Sequence, residues 1–429
     1  MPVSARKAAQ IALSAYRTRE ARPELVLSNT AKTEKMPARE TALASRIVGG
    51  VLENEAFLDY YIELYSDRKK SYFDRETLDI LRMSAYQLWF LDRVPAHAAV
   101  SDAVDLAPKR SKAVVNAILR KLPTEAEKLP EIKADSEEER LSIKYSHPIW
   151  LVKQLKAQYG ADCEKILMAD NEPAKVSLIL NTLRAEKLEE AGIEPSGLLE
   201  NAYVLSGKGV EELEAFRRGE VYVQDISAYL AACAADPRPG DTVLDTCAAP
   251  GGKSFAAAIK MGNKGRIISR DIHEKKLRLI ETGAERLGID IIETETADAR
   301  QAGTELSEKC DVVMTDVPCS GIGVIRKKPE IRYKKPEEIS RLPEIQLAIL
   351  KSSAKNVKKG GVLLYSTCTI LKEENENVVS AFLNENSEFE LEPFTLPGPF
   401  GESGGMLTIL PYEYGTDGFF ICRMRRKSS

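Results

Sequence analysis

From about Val223 onward, short apolar runs alternate with amphipathic segments, and this rhythm limits the fold more than any other property of the chain. Thr242–Leu244, Arg266–Ser269, Ile291–Thr294, Val312–Thr315, Val362–Tyr365 and Phe419–Arg423 read as strands, with helix-like stretches such as Lys253–Lys260 and Glu274–Leu287 between most of them. Runs that are apolar at successive positions need cover on both faces. A strand–helix–strand order provides it in a doubly wound, mainly parallel sheet. Ligands of such sheets bind outside the carboxyl ends of the strands, near the point where strand order reverses. Reactive side chains are therefore expected just after strand-like runs.

Upstream the spacing changes. Ile47, Val48, Val51, Leu52, Leu58, Tyr61 and Ile62 recur at three- and four-residue intervals, and Leu78, Leu81, Tyr86 and Trp89 continue the pattern. Pro95 precedes a helix expected from Ala96, and another near Lys112–Leu122 ends before Pro123. No alternating pattern interrupts residues 4–121, which predicts an all-helical bundle. The charged stretch after Leu122, with Pro123, Pro130 and the run Asp135–Glu139, reads as a linker. Beyond it, Ile149–Tyr159 and Lys187–Ala191 look helical and Val176–Thr182 strand-like. The expected chain is multidomain: an all-α N-terminal domain at 1–125, a linker at 126–140, a small α/β intermediate domain at 141–222 and a Rossmann-like α/β domain at 223–429.

A chain of 429 residues needs more than one core. No run approaches the roughly 20 apolar residues of a membrane helix, and Met1–Thr30 lacks the apolar centre of a secretory signal. Seven cysteines, an odd count spread over this length, make no disulfide framework. A reducing cytoplasm is expected, in which a special cysteine is reactive rather than cross-linked. Only His97, His147 and His273 occur, and no CxxC pair, which argues against zinc sites and histidine triads. Net charge is −4, yet residues 1–121 hold 20 basic against 15 acidic side chains and the rest 41 against 50. A basic module on an acidic body fits an RNA-binding appendage on an enzyme.

The first strand of the C-terminal region ends in Asp245 and runs into Thr246-Cys247-Ala248-Ala249-Pro250-Gly251-Gly252-Lys253-Ser254. Gly251-Gly252 permits a tight turn and close backbone approach, and Lys253 opens a helix whose first amides face the same crevice. A phosphate-binding P-loop would need glycine where Cys247 stands, and GxGxxG is absent. An ATPase and a nicotinamide dehydrogenase both lose ground. Asp271 lies 19 residues beyond Gly252, after the second strand, where an acid accepts ribose hydroxyls. Asp298 follows the third strand and suits the exocyclic amine of adenine. Singly each acid reads as a solvated loop residue; together they predict an adenosyl cofactor without phosphates, S-adenosylmethionine foremost.

Cys319, in Asp316-Val317-Pro318-Cys319-Ser320-Gly321, and Cys368, in Tyr365-Ser366-Thr367-Cys368, each fall just beyond a strand. Small buried hydrophobes are the ordinary reading of a cysteine. The chemistry favours more. Carbon 5 of cytosine is a poor nucleophile until a thiolate adds at carbon 6; methyl transfer, loss of the carbon 5 proton and thiolate elimination then complete a cycle. Such a thiol needs a nearby cation or helix N-terminus to deprotonate.

With these motifs in this order, the chain resembles the RNA cytosine-C5 methyltransferases of the Sun/Fmu/Nop family, and within it the bacterial RsmB type. The stretches that carry the resemblance are Leu244–Ser254, Asp316–Gly321, Leu364–Cys368, Glu373-Glu374-Asn375 and Asp417-Gly418-Phe419-Phe420. The N-terminal helices resemble the NusB RNA-binding fold. The resemblance implies S-adenosylmethionine-dependent methylation of a 16S rRNA cytosine, at a 967-type position, by a monomer acting before the subunit is fully assembled. It makes Cys368 the nucleophile and gives Cys319 a part in product release, in or near proton removal. Asp316 would lie between cofactor and base and hold the cytosine edge. Cys247, Ala248, Ala249, Pro250, Gly251, Gly252 and Lys253 would form the cofactor loop, with Asp271 at the ribose and Asp298 at the adenine. Val317, Thr369 and Tyr333 depart from the family's usual alanine, serine and tryptophan.

Arg326, Lys327, Lys328, Arg332, Lys334 and Lys335 follow the Cys319 loop, where phosphate contact is expected. A flipped base must reach the thiol, and Tyr333 is a candidate to stack on it. Two rival readings remain at this point: the same chemistry on transfer RNA, and a non-enzymatic assembly factor that binds RNA through residues 1–121.

Overall fold

The computed structural model describes all residues except Met1, Pro2, Glu20, Arg93, Lys208, Ala302, Thr304 and Ser429, and the side chain of Arg19. The chain divides into two compact units, residues 1–157 and 158–429.

In the first unit, helices Ala5–Arg19, Pro23–Thr33, Ala38–Glu53, Glu55–Ser66, Arg75–Phe90, Ala96–Leu106 and Lys112–Leu119 follow one another with no strand among the described residues. The periodic apolar positions from Ile47 to Ile62 and from Leu78 to Trp89 are its core. Helix Arg75–Phe90 starts where Asp74 accepts a hydrogen bond from the Thr77 amide, and it is buried on nearly every side. It carries charge inward. Arg82 grips Asp59 through two bonds, Nε to Oδ1 at 2.7 Å and Nη2 to Oδ2 at 2.8 Å, and also meets Asp79 and Glu55. The charged stretch at 126–140 lies along this bundle: Tyr61 donates to the Pro130 carbonyl and the Lys133 amide donates to Tyr60. Its acidic run starts a further helix, Glu137–Tyr145, because Ser136 caps the Glu139 amide and three glutamates face the positive helix end.

The second unit opens with a four-stranded antiparallel sheet of β1 (Ser177–Leu180), β2 (Ile193–Pro195), β3 (Ala202–Leu205) and β4 (Val221–Val223), in the order β2-β3-β1-β4. Lys187–Ala191, expected to be helical, is irregular instead. Tertiary partners override its local preference: the Leu188 amide bonds the Tyr203 hydroxyl, and Glu190 accepts from the amides of Glu214 and Ala215.

The large sheet contains β5 (Thr242–Asp245), β6 (Arg266–Asp271), β7 (Ile292–Thr296), β8 (Cys310–Asp316), β9 (Val357–Thr367) and β10 (Phe389–Leu391). A two-stranded pair, β11 (Phe394–Leu396) and β12 (Gly401–Ser403), comes next, and β13 (Met406–Ile409) and β14 (Phe419–Arg426) complete the large sheet. Its order is β10-β14-β9-β8-β5-β6-β7, with β13 beside β14; β5 to β9 pair in parallel, and the pairs made by β14 are antiparallel. Period-two burial explains the two-sided cover. Val243, Ile267, Val312 and Leu364 face helices Ile226–Ala235, Gly252–Lys260 and Glu274–Leu287. Leu244, Ile268, Val313 and Leu363 face helices Leu342–Ala354 and Glu376–Glu385. The chain proceeds from β5 outward to β7, then returns to lay β8 on the other side of β5. The carboxyl ends of β5 and β8 thus flank the switch point. No helix among the described residues is long and apolar enough to cross a membrane.

The buried ion network yields a prediction for the first unit. Asp59→Ala leaves Arg82 charged and short of its closest partner, which is expected to cost about 3–5 kcal/mol. Denaturant unfolding followed by circular dichroism should show a lower midpoint for the helical bundle; an unchanged midpoint refutes the network's role.

Candidate active site

The turn after β5 is fastened from below. Asp245 is buried and accepts from Ser254 Oγ at 2.7 Å, while Ser254 Oγ meets Ser269 Oγ at 2.8 Å. Burial pushes the Asp245 carboxyl up to about 6, against the hydrogen bond from Ser254. The Thr246 amide bonds the Met314 carbonyl and the Ala248 amide the Arg270 carbonyl, tying the turn to both neighbouring strands. Gly251 has φ of 111°, and a Cβ there would sit 2.6 Å from the Phe255 ring, so the position requires glycine.

Above the switch point lies a cavity of about 430 Å³, lined among others by Cys247, Ala249, Asp271, Asp298, Asp316, Cys319 and Cys368. The expected Ala248, Pro250, Gly251 and Gly252 shape the turn but do not line the cavity, and neither does Lys253. Lys253 is buried beneath, with Nζ 2.7 Å from Asp316 Oδ2; Ser366 Oγ donates to the other Asp316 oxygen at 3.0 Å. Burial opposes the Lys253 ammonium, but Asp316 outweighs it, with smaller help from Asp245 and Cys368, and the pKa lies above the ordinary lysine value. At the far wall, Asp271 Oδ1 accepts from the His273 amide. Asp298 is held by its neighbour Arg300, with Nε 2.9 Å from Oδ1 and Nη2 2.6 Å from Oδ2. That fork leaves Asp298 fewer lone pairs for an adenine amine than an unpaired acid would have.

The two sulfurs stand together: Cys319 Sγ is 3.1 Å from Cys368 Sγ, both as free thiols. The hydrogen bond with Cys368 lifts the Cys319 thiol well above the usual range, and burial adds to it. Elsewhere burial is the main cause that keeps thiols neutral, raising Cys233 and Cys310 to about 11, while Cys247 reaches about 12 through burial and the Asp245 charge.

Hydrogen bonds lock the cysteine loops to each other. Ser320 Oγ donates to Thr369 Oγ1 at 2.8 Å, and Asn375 bonds Thr367 Oγ1 and the Thr369 carbonyl. Gly323 takes the Cys368 carbonyl through its amide and the Gly418 amide through its carbonyl. A Cβ on Gly323 would lie 2.0 Å from the Gly418 oxygen. This backbone crossing accounts for Gly418 in the Asp417–Phe420 motif.

The basic cluster is a correction. Arg332 is fully buried, and Arg326 is buried with Nη2 on the Gly415 carbonyl. Lys327 Nζ lies 2.5 Å from Asp225 and 2.8 Å from Asp417, and Lys334 donates to the Ser320 carbonyl. Burial, with the neighbouring Asp225 charge, pushes Asp417 up to about 7. These cations brace loops rather than meet phosphate; only Lys328 and Lys335 of the cluster are exposed. Sequence reasoning missed Ile272, which is 53% exposed on the cavity wall, together with Asp225 and Gln346. An apolar residue directly after a strand-end acid is a readable signal for Ile272.

Because of the crossing, Gly323→Ala is expected to destabilise the second unit by about 1–3 kcal/mol through overpacking. A denaturation midpoint equal to that of the parent would show that the contact is not tight.

Three family models match: the NusB family over residues 3–123, the ferredoxin-like domain of RsmF/B-like methyltransferases over 147–207, and 16S rRNA methyltransferase RsmB/F over 232–425. The all-α, small α/β and Rossmann-like parts expected from the sequence are all present. Probable ribosomal RNA small subunit methyltransferase B of Bacillus subtilis (strain 168) is 40% identical over 447 residues, covering 99% of each chain. The protein of the same description from Synechocystis sp. is 33% identical over 445 residues, covering 99% of this chain and 100% of the relative. The crystal structure of PH0851 superposes with a TM-score of 0.79 at 28% identity and covers 99% of both chains. The chain belongs to the family of ribosomal RNA small subunit methyltransferase B.

Proposed function

We propose that the protein methylates carbon 5 of one cytosine in 16S rRNA, using S-adenosylmethionine and a covalent adduct on Cys368. The observation that carries this reading is the pair of thiols 3.1 Å apart in the same cavity as the strand-end acids. The cavity suits an adenosyl group: Asp271 keeps one carboxylate oxygen without a hydrogen-bond partner among the described residues for ribose hydroxyls, and Ile272, Ala299, Ile345 and Ile349 offer apolar surface to a base. S-adenosylmethionine, when bound, supplies a methyl group electrophilic enough for an activated carbon 5.

The residues divide the remaining work. The Cys368 thiol gives up its proton to solvent, its sulfur bonds to carbon 6, and the ring's π pair moves onto carbon 5, which becomes nucleophilic. Asp316, held from beneath by Lys253, presents a carboxylate to the polar edge of the base. While Cys368 is free, its sulfur is the largest influence keeping Cys319 protonated. Once Cys368 becomes a neutral thioether, its influence on Cys319 is lost while burial and the Glu374 and Asp316 charges still oppose ionisation, and Cys319 gives its proton to solvent. Its thiolate takes the proton from carbon 5; that C–H pair restores the ring double bond, and the carbon–sulfur pair returns to Cys368.

The family and the NusB-like helices support ribosomal RNA over transfer RNA as substrate, and the family resemblance of the motifs implies a target at the 967-type position. The protein acts in the cytoplasm as a monomer, on RNA not yet in a complete subunit.

Cys368→Ala is expected to abolish methylation while the cofactor dissociation constant, measured by calorimetry, stays within about threefold. Cys319→Ala should accumulate a protein–RNA adduct that survives denaturing electrophoresis; absence of a shifted band removes its release role. Asp271→Ala should weaken cofactor binding about tenfold or more, as loss of a charge-assisted hydrogen bond predicts. Bisulfite sequencing of RNA from a deletion strain locates the target, and a lost signal in transfer RNA instead would overturn the substrate assignment.

A further inference from the structure

Cys319 is held by the peptide groups on either side of it, and the residues that grip them come from outside its loop. Gln346, on helix Leu342–Ala354, donates from Nε2 to the Pro318 carbonyl at 3.0 Å. Glu374 accepts the Ser320 amide on Oε2 at 2.8 Å. The two side chains also meet each other, Gln346 Nε2 to Glu374 Oε2 at 2.8 Å. Gln346 is 0% and Glu374 2% exposed. Gln346 Oε1 and Glu374 Oε1 are buried with no hydrogen-bond partner among the described residues. A core that stability alone had shaped gains nothing from such groups, since an unsatisfied buried acceptor costs free energy and an apolar pair would not.

We propose that Gln346 and Glu374 are positioning residues for Cys319, clamping the peptide groups before and after it so that its sulfur is aimed for the release half of the cycle. The inference rests on the release role given to Cys319 above. Neither residue touches substrate, cofactor or the reacting atoms; both act through the Pro318-Cys319-Ser320 backbone. Glu374 has a second effect. Its carboxylate is one of the charges that keep Cys319 protonated, after Cys368 and ahead of Asp316. Other titratable groups around the thiol and its cavity, among the described residues, are Tyr365 on β9, Lys334 on the Ser320 carbonyl, Lys253 on Asp316, Cys247 at the cofactor turn, and Asp271, His273, Lys276, Asp298 and Arg300 on the far wall.

The test uses full-length protein, a 16S rRNA fragment containing the target cytosine, and S-adenosylmethionine, with adduct formation and adduct decay timed separately in single turnovers. Gln346→Met keeps the side-chain length and loses both donors; it is expected to slow decay about tenfold while formation stays within about threefold. Equal slowing of both halves, or of neither, overturns the clamp. Glu374→Gln keeps an acceptor for Ser320 but removes the charge. Because a lost negative charge eases formation of the Cys319 thiolate, the pH limb of adduct decay should move to lower pH. A limb that does not move overturns the assignment of Glu374 and decides the question alone if Gln346→Met does not fold. Cys319→Ala run in parallel separates the two claims: if it leaves decay unchanged, the release role itself fails, whereas trapped adduct there with unaffected decay in Gln346→Met rejects only the clamp.

Discussion

The parallel register of β8 on β9 is the constraint on which the site depends. Thr315 pairs with Tyr365 and Asp316 with Ser366, so the two strands end level and the loops beyond them start side by side. Cys319 and Cys368 come from positions 49 residues apart, and this pairing is what delivers them to one point. A slip by one residue would turn every side chain of one strand to the opposite face of the sheet. The alternating burial of Val312, Val313 and Met314 against Val362, Leu363 and Leu364 prevents it, because both faces are packed.

Around that register the molecule spends polar groups on loops rather than on the sheet. Lys327 sits between Asp225 and Asp417, Lys334 on Ser320, Asn375 on the Cys368 loop, and Gln346 with Glu374 on the Cys319 loop. Loops that carry catalytic groups are ordinarily the softer parts of a fold. Here each is tied at several backbone positions to elements distant in sequence. Sub-ångström placement of two sulfurs requires such support, since reacting geometry tolerates little error.

The strands and the cofactor turn were legible because period-two burial and glycine punctuation are local signals, readable within a few residues. The same holds for the N-terminal helices, whose three- and four-residue spacing survives intact. What was not legible depended on partners far along the chain. Arg326, Lys327, Arg332 and Lys334 look identical in sequence whether they face solvent or brace a loop; Asp225, some hundred residues upstream, decides it for Lys327. Lys187–Ala191 failed as a helix for a related reason, its Leu188 amide being claimed by Tyr203 and its Glu190 side chain by the start of helix Glu214–Arg217. Asp298 shows the opposite case. Its fork with Arg300 is only two residues away, and the Asp298-Ala299-Arg300 spacing already contained it.

The crossing of Gly323 with Gly418 has a consequence for how the protein is made. β14 follows every other strand of its sheet in the chain, yet it lies inside that sheet, between β9 and β10. Translation therefore exposes the edge of β9 and leaves the segment after Cys319 unfastened until residues beyond Gly418 have cleared the exit tunnel. The strand that closes the large sheet and the glycine that fastens the Cys319 segment are thus among the last parts of the chain to be synthesised.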